Sequence, residues 1–582
     1  MWAEKKTFGR EEHQQVLLLF AVMVFLLFWS LGNRSLWAAE GRWAEITRTM
    51  LLTKDFFHPT IGGEPYFDKP LLTYWLIGII AFLSGVLNEL VVRIPSAVAG
   101  ILSVWATIRL GTRLWSAQVG RMAGWIFLTT YAFLFWSRTG TAETENLAAI
   151  MLAVAWYWAR RDRPDFITFF VFYLIIFIGA LTKGLTSVVV PVLVVMPDMI
   201  KEKRWKALFK PVHFLTLALA IGIYFAPFII ASLTRPENYS SSGLALVFQE
   251  NIQRFFEPFD HKEPFYIYFY AVPILLLPWA PLFLVTIVGL IQNYKQLDGN
   301  TRWLIKAVIL IFLFFSLSGS RRNYYILPII PFCALLMAIF IDWINQPQVH
   351  RIRRFGMEIQ WAVLFGLIIF ELTIPLLLII AKRITGFEAP LSLSVASLTI
   401  GLTALILFAA IYQSENWLKF HIKSDRLVIS SIAAAVVVLG GYFCWQQNIL
   451  EINRTERPFA RQMQKQSANL STERIAFFPK VNANILFYLS RKQPVKILTN
   501  SDELCSFIDS TQSGAVISQA RYVASLPPEI ITNLQKCRTL EEQVNAWESE
   551  SSRQEKWVAW LCGQTSENKT NLLAEESSPD AK

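Results

Sequence analysis

The 582-residue chain is 54% hydrophobic and only 17% charged, against about 25% in a soluble domain, and apolar runs recur from residue 16 to residue 447, which excludes an ordinary soluble enzyme. A helix satisfies its own backbone hydrogen bonds in lipid, so the pattern predicts an all-α polytopic membrane protein. The net charge of +11 does not indicate a nucleic-acid partner, because the basic residues collect in short loops between apolar runs, where they report topology.

The first apolar run, Val16 to Ser30, follows Lys5, Lys6 and Arg10. It reads as an uncleaved first span with a cytoplasmic N-terminus, since no small-x-small cleavage pattern precedes Glu40. Further spans are expected at 93–110, 119–136, 145–160, 165–181, 185–200, 211–233, 265–290, 303–318, 324–342, 358–381, 391–413 and 427–447. The run Leu71–Val86 decides the sidedness of everything after it. If it lies along the outer surface, the loops with Arg160/Arg161/Arg163, Lys201/Lys203/Arg204/Lys206 and Arg351/Arg353/Arg354 all face the cytoplasm, as the positive-inside bias requires. About thirteen crossings follow, with a juxtamembrane helix at 71–86 and the C-terminus outside.

This choice gathers the uncommon charges at membrane depth on the outer face, where they mark a site. The first outer loop, 31–92, holds Glu40, Arg42, Glu45, Arg48, Asp55, His58, Asp68 and Lys69 among Trp43, Phe56, Phe57, Tyr66 and Phe67. The second carries Glu143 and Glu145. Lys183 and Arg321 lie on smaller turns, and Arg254 on the long loop 234–264. Each has a plainer reading: Glu45 and Arg48 are spaced to pair along a helix, Asp68 can cap the helix that Pro70 starts, Lys183 and Arg321 can reach headgroups, and His58 between Phe57 and Pro59 suits a structural role.

From residue 448 the chain changes character. Strands are expected at 474–480, 494–499 and 515–518 and helices at 482–491 and 501–510, an alternation that predicts a small α/β domain. The division is 1–447 for the membrane domain and 448–582 for an external soluble domain with a disordered tail. Cys505, Cys537 and Cys562 there allow one disulfide and one free thiol. Cys537 with Cys562 is the favoured pair, although spacing cannot fix connectivity.

The ordered set Glu40-Gly-Arg-Trp-Ala-Glu-Ile46, Tyr66-Phe-Asp-Lys-Pro70, Leu181-Thr-Lys-Gly184, Asn251-Ile-Gln-Arg-Phe255, Pro278-Trp279 and Ser318 to Pro328 resembles the lipid A aminoarabinose transferases and their relatives, the protein O-mannosyltransferases. These are GT-C type glycosyltransferases. The resemblance implies transfer of a sugar from a polyprenyl-phosphate carrier to a hydroxyl of a lipid, glycan or protein acceptor, outside the plasma (inner) membrane. The family's acidic pair in the first loop is Asp-Glu; here it reads Ala39-Glu40, so Glu40 is expected to take the acidic role. Asp68-Lys69 stands where the aminoarabinose branch has Glu-Lys, and Glu145 where it has an Asp. Lys183, Arg254, Arg321 and Tyr325 match positions that line the donor phosphate or its cavity, and Lys69 is expected to help meet the phosphate charge, with Arg42 and Glu45 as further loop residues.

An acceptor hydroxyl needs a base within hydrogen-bond reach. Glu40 or Glu145 can supply one, with Asp68 and Glu143 as rivals. The leaving phosphate needs cations rather than a proton, and one displacement at the anomeric carbon inverts its configuration, by analogy with inverting glycosidases. No cofactor is indicated by motif. A divalent cation remains open, with Asp68 and His58 as candidate ligands. A transporter of the lipid-linked sugar, or a non-catalytic relative, are the competing readings. The absence of a visible repeat and the gathering of charge at one edge favour an enzyme.

Overall fold

The computed structural model describes residues 10–37, 39–237, 239, 243–248, 263–343, 350–413, 426–510, 513–523, 526–544 and 548–563. Arg254 lies outside the described residues. The first part is helical: α1 Arg10–Phe28, α2 Glu40–Thr53, α3 Leu72–Ser84, α4 Glu89–Leu114, α5 Ala117–Leu128, α6 Tyr131–Ser137, α7 Glu143–Arg160, α8 Phe166–Lys183, α9 Thr186–Lys201 and α10 Pro211–Leu233, with further helices to residue 453. Among the described residues seven helices are long and apolar enough to cross a membrane, or eight if one bent pair counts as a single span. The other expected spans are shorter, broken or charged at their ends.

Two of those expectations are corrected. The run 119–136 is not one helix. It breaks at Thr129 and Thr130, whose hydroxyls bond back to the carbonyls of Trp125 and Phe127 at 2.7 and 3.0 Å, while Tyr131 N–H donates to Leu277 O at 2.7 Å. The run 265–290 is two helices, Ile267–Leu275 and Ala280–Gln292, set at 117°. Pro278 sits in the bend with a cis bond to Leu277, since proline supplies no donor to carry a helix through.

Helix α3 has 13 residues, about 20 Å at 1.5 Å per residue, too short for a hydrocarbon core of about 30 Å. One face packs on α2, where Trp43 and Tyr74 lie 4.5 Å apart between ring centroids. The opposite face leaves Ile79, Phe82 and Leu83 exposed. Asn88 then caps α4 by accepting from Val91 N–H.

Between α2 and α3 the chain makes a two-stranded hairpin, β1 Thr60–Ile61 and β2 Glu64–Pro65. Gly62 and Gly63 form its turn, both at positive φ, a conformation that glycine adopts without a Cβ penalty. The C-terminal part forms a five-stranded sheet from β3 Ile475–Phe478, β4 Lys496–Ile497, β5 Gly514–Gln519, β6 Arg538–Glu541 and β7 Trp557–Cys562, in the order β4-β3-β5-β7-β6. The first three strands are parallel, and β7 and β6 are antiparallel additions that the sequence reading did not contain.

Side chains alternate across this sheet as the pleat requires. Ile475, Phe477, Ala515 and Ile517 join an apolar core that continues into α2, α3, α8 and α10. Ala476, Phe478 and Val516 face a second core with Leu504, Phe507, Ile530 and Leu534. The C-terminal sheet is therefore packed onto the first loop through one of its faces. Cys537 and Cys562 are joined in a disulfide.

Candidate active site

Glu40 opens α2, and all its acceptor capacity is used. Arg93 of α4 donates to Oε1 from Nε at 2.7 Å and to Oε2 from Nη2 at 2.8 Å. Gly140 N–H donates to Oε1 at 2.7 Å and Trp37 N–H to Oε2 at 2.9 Å. The side chain is fully buried. Burial pushes the carboxyl up, but the Arg93 charge and hydrogen bonds, with Arg34 and the Gly140 N–H, outweigh it and hold it at about 2. A carboxylate so placed binds the first loop to α4 and to the second loop. Taking a proton from a substrate would require it to give up one of four donors.

Arg93 continues the same task, with donors on the carbonyls of Leu31, Arg34 and Ser35 at 2.8–2.9 Å. Arg138 caps the end of α1 through the carbonyls of Leu26 and Trp29 and also reaches Phe443 O at 3.1 Å. These guanidiniums satisfy carbonyls a helix end leaves unpaired. The sequence reading missed both residues. An arginine inside the apolar run Leu90–Ala99 was the signal available for Arg93.

The remaining expected residues fall into two groups. In the first, Arg42 donates from Nη1 to Asp68 Oδ2 and to the Tyr66 hydroxyl, each at 2.8 Å. Lys69 donates to the Asp68 carbonyl at 2.9 Å and lies 3.9 Å from its Oδ2. Asp68 Oδ1 has no hydrogen-bond partner, although the side chain as a whole is 30% exposed. So Asp68 has one oxygen held by the Arg42 cation and one buried without a hydrogen-bond partner.

The second group lies around the start of α7 and the end of α8. Lys183 is paired with Glu143, and its ammonium is 5.1 and 5.7 Å from the ring centroids of Tyr325 and Tyr324, a cation over aromatic faces. Glu145 is 7% exposed; its Oε1 accepts from Ser96 at 3.2 Å and its Oε2 has no partner. Arg321 donates to the carbonyls of Glu263 and Ser316 at 2.8 and 3.3 Å.

Glu45 and Arg48 pair at helical spacing, with N···O of 2.6 Å, and Arg48 also reaches the Arg491 carbonyl. They join α2 to the C-terminal part. His58 is held at both ring nitrogens, Nδ1 by Asp55 at 2.8 Å and Nε2 by the Ala231 carbonyl at 2.8 Å, which ties the first loop to the end of α10. Among the described residues no three His, Cys, Asp or Glu side chains gather as a metal would need. With its nitrogens engaged, His58 does not fit the ligand role considered with Asp68.

Known proteins resemble this chain in sequence and in fold. Residues 68–230 match the family model for dolichyl-phosphate-mannose-protein mannosyltransferases. The undecaprenyl phosphate-alpha-4-amino-4-deoxy-L-arabinose arabinosyl transferase of Aeromonas salmonicida is 30% identical over 453 residues, 76% of this chain and 78% of that protein. Its counterpart in Aeromonas hydrophila is 29% identical over 458 residues, 76% and 79% of the two chains. The crystal structure of ArnT from Cupriavidus metallidurans bound to undecaprenyl phosphate superposes with a TM-score of 0.68 at 18% identity, covering 95% of this chain and 98% of that one, and so shares its fold.

Proposed function

This chain belongs to the undecaprenyl phosphate-aminoarabinose arabinosyl transferase family of membrane glycosyltransferases, and from that premise we propose that it moves a sugar from a polyprenyl-phosphate carrier to an acceptor hydroxyl at the outer face of the membrane, with Asp68 as the base. The names of the relatives and the undecaprenyl phosphate bound to ArnT support the carrier. The basic loops at 160–163, 201–206 and 351–354 support the orientation.

The observation that carries the assignment of Asp68 is its unpartnered Oδ1 beside an Oδ2 held by Arg42. The guanidinium fixes the direction of the carboxylate, leaving one oxygen to meet a hydroxyl proton. Glu145 has an unpartnered oxygen too, but its other oxygen accepts from the neutral Ser96. Glu40 acts as a positioning residue, since it holds the first loop, α4 and the second loop in register.

Lys183, with Tyr325 at its side, meets the leaving phosphate, and Lys69 and Arg321 add positive charge. The anomeric carbon–phosphate oxygen bond breaks as the acceptor oxygen attacks from the opposite face; the proton passes to Asp68 and the phosphate leaves charged, without needing a proton. The configuration inverts. The lipid tail lies in an apolar groove between helices. The acceptor is a lipid, glycan or protein hydroxyl.

The test is transfer by purified protein in lipid nanodiscs, with an undecaprenyl-phosphate sugar as donor and envelope lipids or glycoproteins as acceptors, read by mass spectrometry. The expected result is a glycosylated acceptor and released undecaprenyl phosphate. Movement of intact donor across the bilayer without cleavage would instead identify a transporter.

A further inference from the structure

Helix α9 ends at Lys201 and α10 begins at Pro211. Between them the chain makes one 3-10 turn, Arg204–Phe209, within the sequence Lys201-Glu-Lys-Arg-Trp-Lys-Ala-Leu-Phe-Lys210. The transfer reaction described above uses none of these residues. Helix α10 is long and apolar enough to cross a membrane, and it leaves Phe214 and Leu215 exposed near its start. The turn therefore sits at the edge of the bilayer, on the side that the basic loops assign to the cytoplasm.

Two kinds of side chain leave this turn for its surroundings. Trp205 is 43% and Phe209 70% exposed, and their rings pack edge to face with centroids 5.9 Å apart. An exposed aromatic pair beside the end of a span belongs at headgroup depth. Lys203, Lys206 and Lys210 are also exposed, and none of the three makes an ion pair among the described residues. Lys201 differs, lying 3.4 Å from Glu202. Neighbours in the set of three are three or four residues apart, about 6–8 Å along a 3-10 turn. That is inside the screening length of about 10 Å at 0.1 M salt. Their charges repel one another, and an anion among them relieves the repulsion.

The arginines of this region point the other way and fix the turn to the helices. Arg204 pairs with Asp162 at 2.6 Å, lies 3.6 Å from Asp198 and donates to the Arg161 carbonyl at 3.1 Å. Asp198 also accepts from Arg161 and from the Tyr157 hydroxyl, each at 2.6 Å. The turn is thus anchored before any ligand arrives, so binding has only side chains to order. A second turn extends the surface. The Lys201 ammonium lies over Gly299, where a Cβ would stand 3.3 Å from it, and Tyr294 and Lys295 are exposed on the same loop. Asp298 there is engaged in capping the helix Gly299–Leu317.

We propose that this turn is a docking surface for anionic phospholipid of the cytoplasmic leaflet, with the phosphodiester among Lys203, Lys206 and Lys210 and the glycerol region against Trp205 and Phe209. A zwitterionic lipid brings an ammonium that the lysines repel, so the surface discriminates by net charge. A nucleic acid or an acidic protein would use the lysines but gives no reason for two rings at the depth of the bilayer edge. The choice of leaflet rests on the orientation proposed above.

The experiment uses the full chain in neutral detergent. It is titrated with dioleoylphosphatidylglycerol and separately with dioleoylphosphatidylcholine, and bound lipid is counted by native mass spectrometry. The phosphatidylglycerol should bind at least about tenfold more tightly, by a margin that shrinks as salt rises. Lys203→Gln, Lys206→Gln and Lys210→Gln together should bring that preference below about twofold. Should this variant melt below the parent, Lys203→Gln with Lys206→Gln replaces it and spares the residue before Pro211. Equal binding of the two lipids by the parent chain leaves the turn to a soluble partner or to none. An undiminished preference in a folded variant places the anionic-lipid site elsewhere. Either result overturns the proposal. Detergent has no sidedness, so neither result bears on the orientation, which labelling from the two sides of the membrane reads.

Discussion

Glu40 and Arg93 face each other through two parallel hydrogen bonds, Nε to Oε1 at 2.7 Å and Nη2 to Oε2 at 2.8 Å, with both side chains fully buried. The pair is 53 residues apart in sequence. It converts the start of α2 and the start of α4 into one rigid unit. Breaking such a pair leaves an uncompensated charge in a dry site and costs about 3–5 kcal/mol.

Glu40→Gln is therefore expected to lower thermal stability strongly, with activity per folded molecule retained. Thermal melting in detergent and active-site titration together separate these quantities. A variant that melts like the parent but has lost transfer would return Glu40 to the role of base. The pH dependence has a definite sign. The folded carboxyl, at about 2, lies below its ordinary value of 4.5, so its contribution is complete above pH 4.5 and is lost as pH falls from 4.5 to 2.

Asp68→Asn is expected to lower transfer by about 10²–10⁴-fold, the usual loss on removing a general base, with donor affinity retained. Arg42 keeps its bond to the Tyr66 hydroxyl in that variant, so the loop should stay folded. Near-parental turnover in Asp68→Asn together with an inactive Glu145→Gln would move the base to the start of α7.

Lys183→Ala should act on the donor. It removes the cation that lies against Tyr325 and leaves Glu143 without its ion-pair partner. Donor KM should rise by at least about tenfold, equivalent to about 1.4 kcal/mol, and Lys183→Arg should recover part of it. An unchanged donor KM with lowered kcat would mean that Lys183 acts only in the transition state.

Topology is open to labelling. With Cys505 replaced by serine, a single cysteine at Glu64 should react with an impermeant thiol reagent added outside, and one at Lys203 should be protected until the membrane is opened. Both positions are exposed in the fold. Reaction at both positions from outside would mean that α3 crosses the membrane.

Several elements were legible because one local signal decides them. The spans 211–233 and 391–413 coincide with helices, as uninterrupted apolar runs beginning beside prolines. Strands β3 and β5 were legible from β-branched and aromatic residues. Strand β6, Arg-Thr-Leu-Glu, was not, since charged residues stand at both ends of this edge strand and only Leu540 is buried. The break at Thr129–Thr130 depends on hydroxyl back-bonds within an apolar run that hydropathy alone reads as continuous. At the site, residue types were legible but occupancy was not. No local pattern around Glu40 reveals that Arg93 and Gly140 will fill its oxygens, and none around Asp68 reveals that Oδ1 stays unpaired.

The junction of the first and last described spans also bears on biosynthesis. Ser30, just past α1, donates to the Cys444 carbonyl and accepts from Asn448, each at 2.9 Å, and Arg138 reaches the Phe443 carbonyl. Segments 414 residues apart in the chain are thus fastened together. Until residue 448 has been synthesised and inserted, Ser30 and Arg138 lack these partners. A chain truncated before residue 443 would leave the Ser30 hydroxyl and one Arg138 donor without these bonds, so it should be less stable and more open to proteolysis than the full chain.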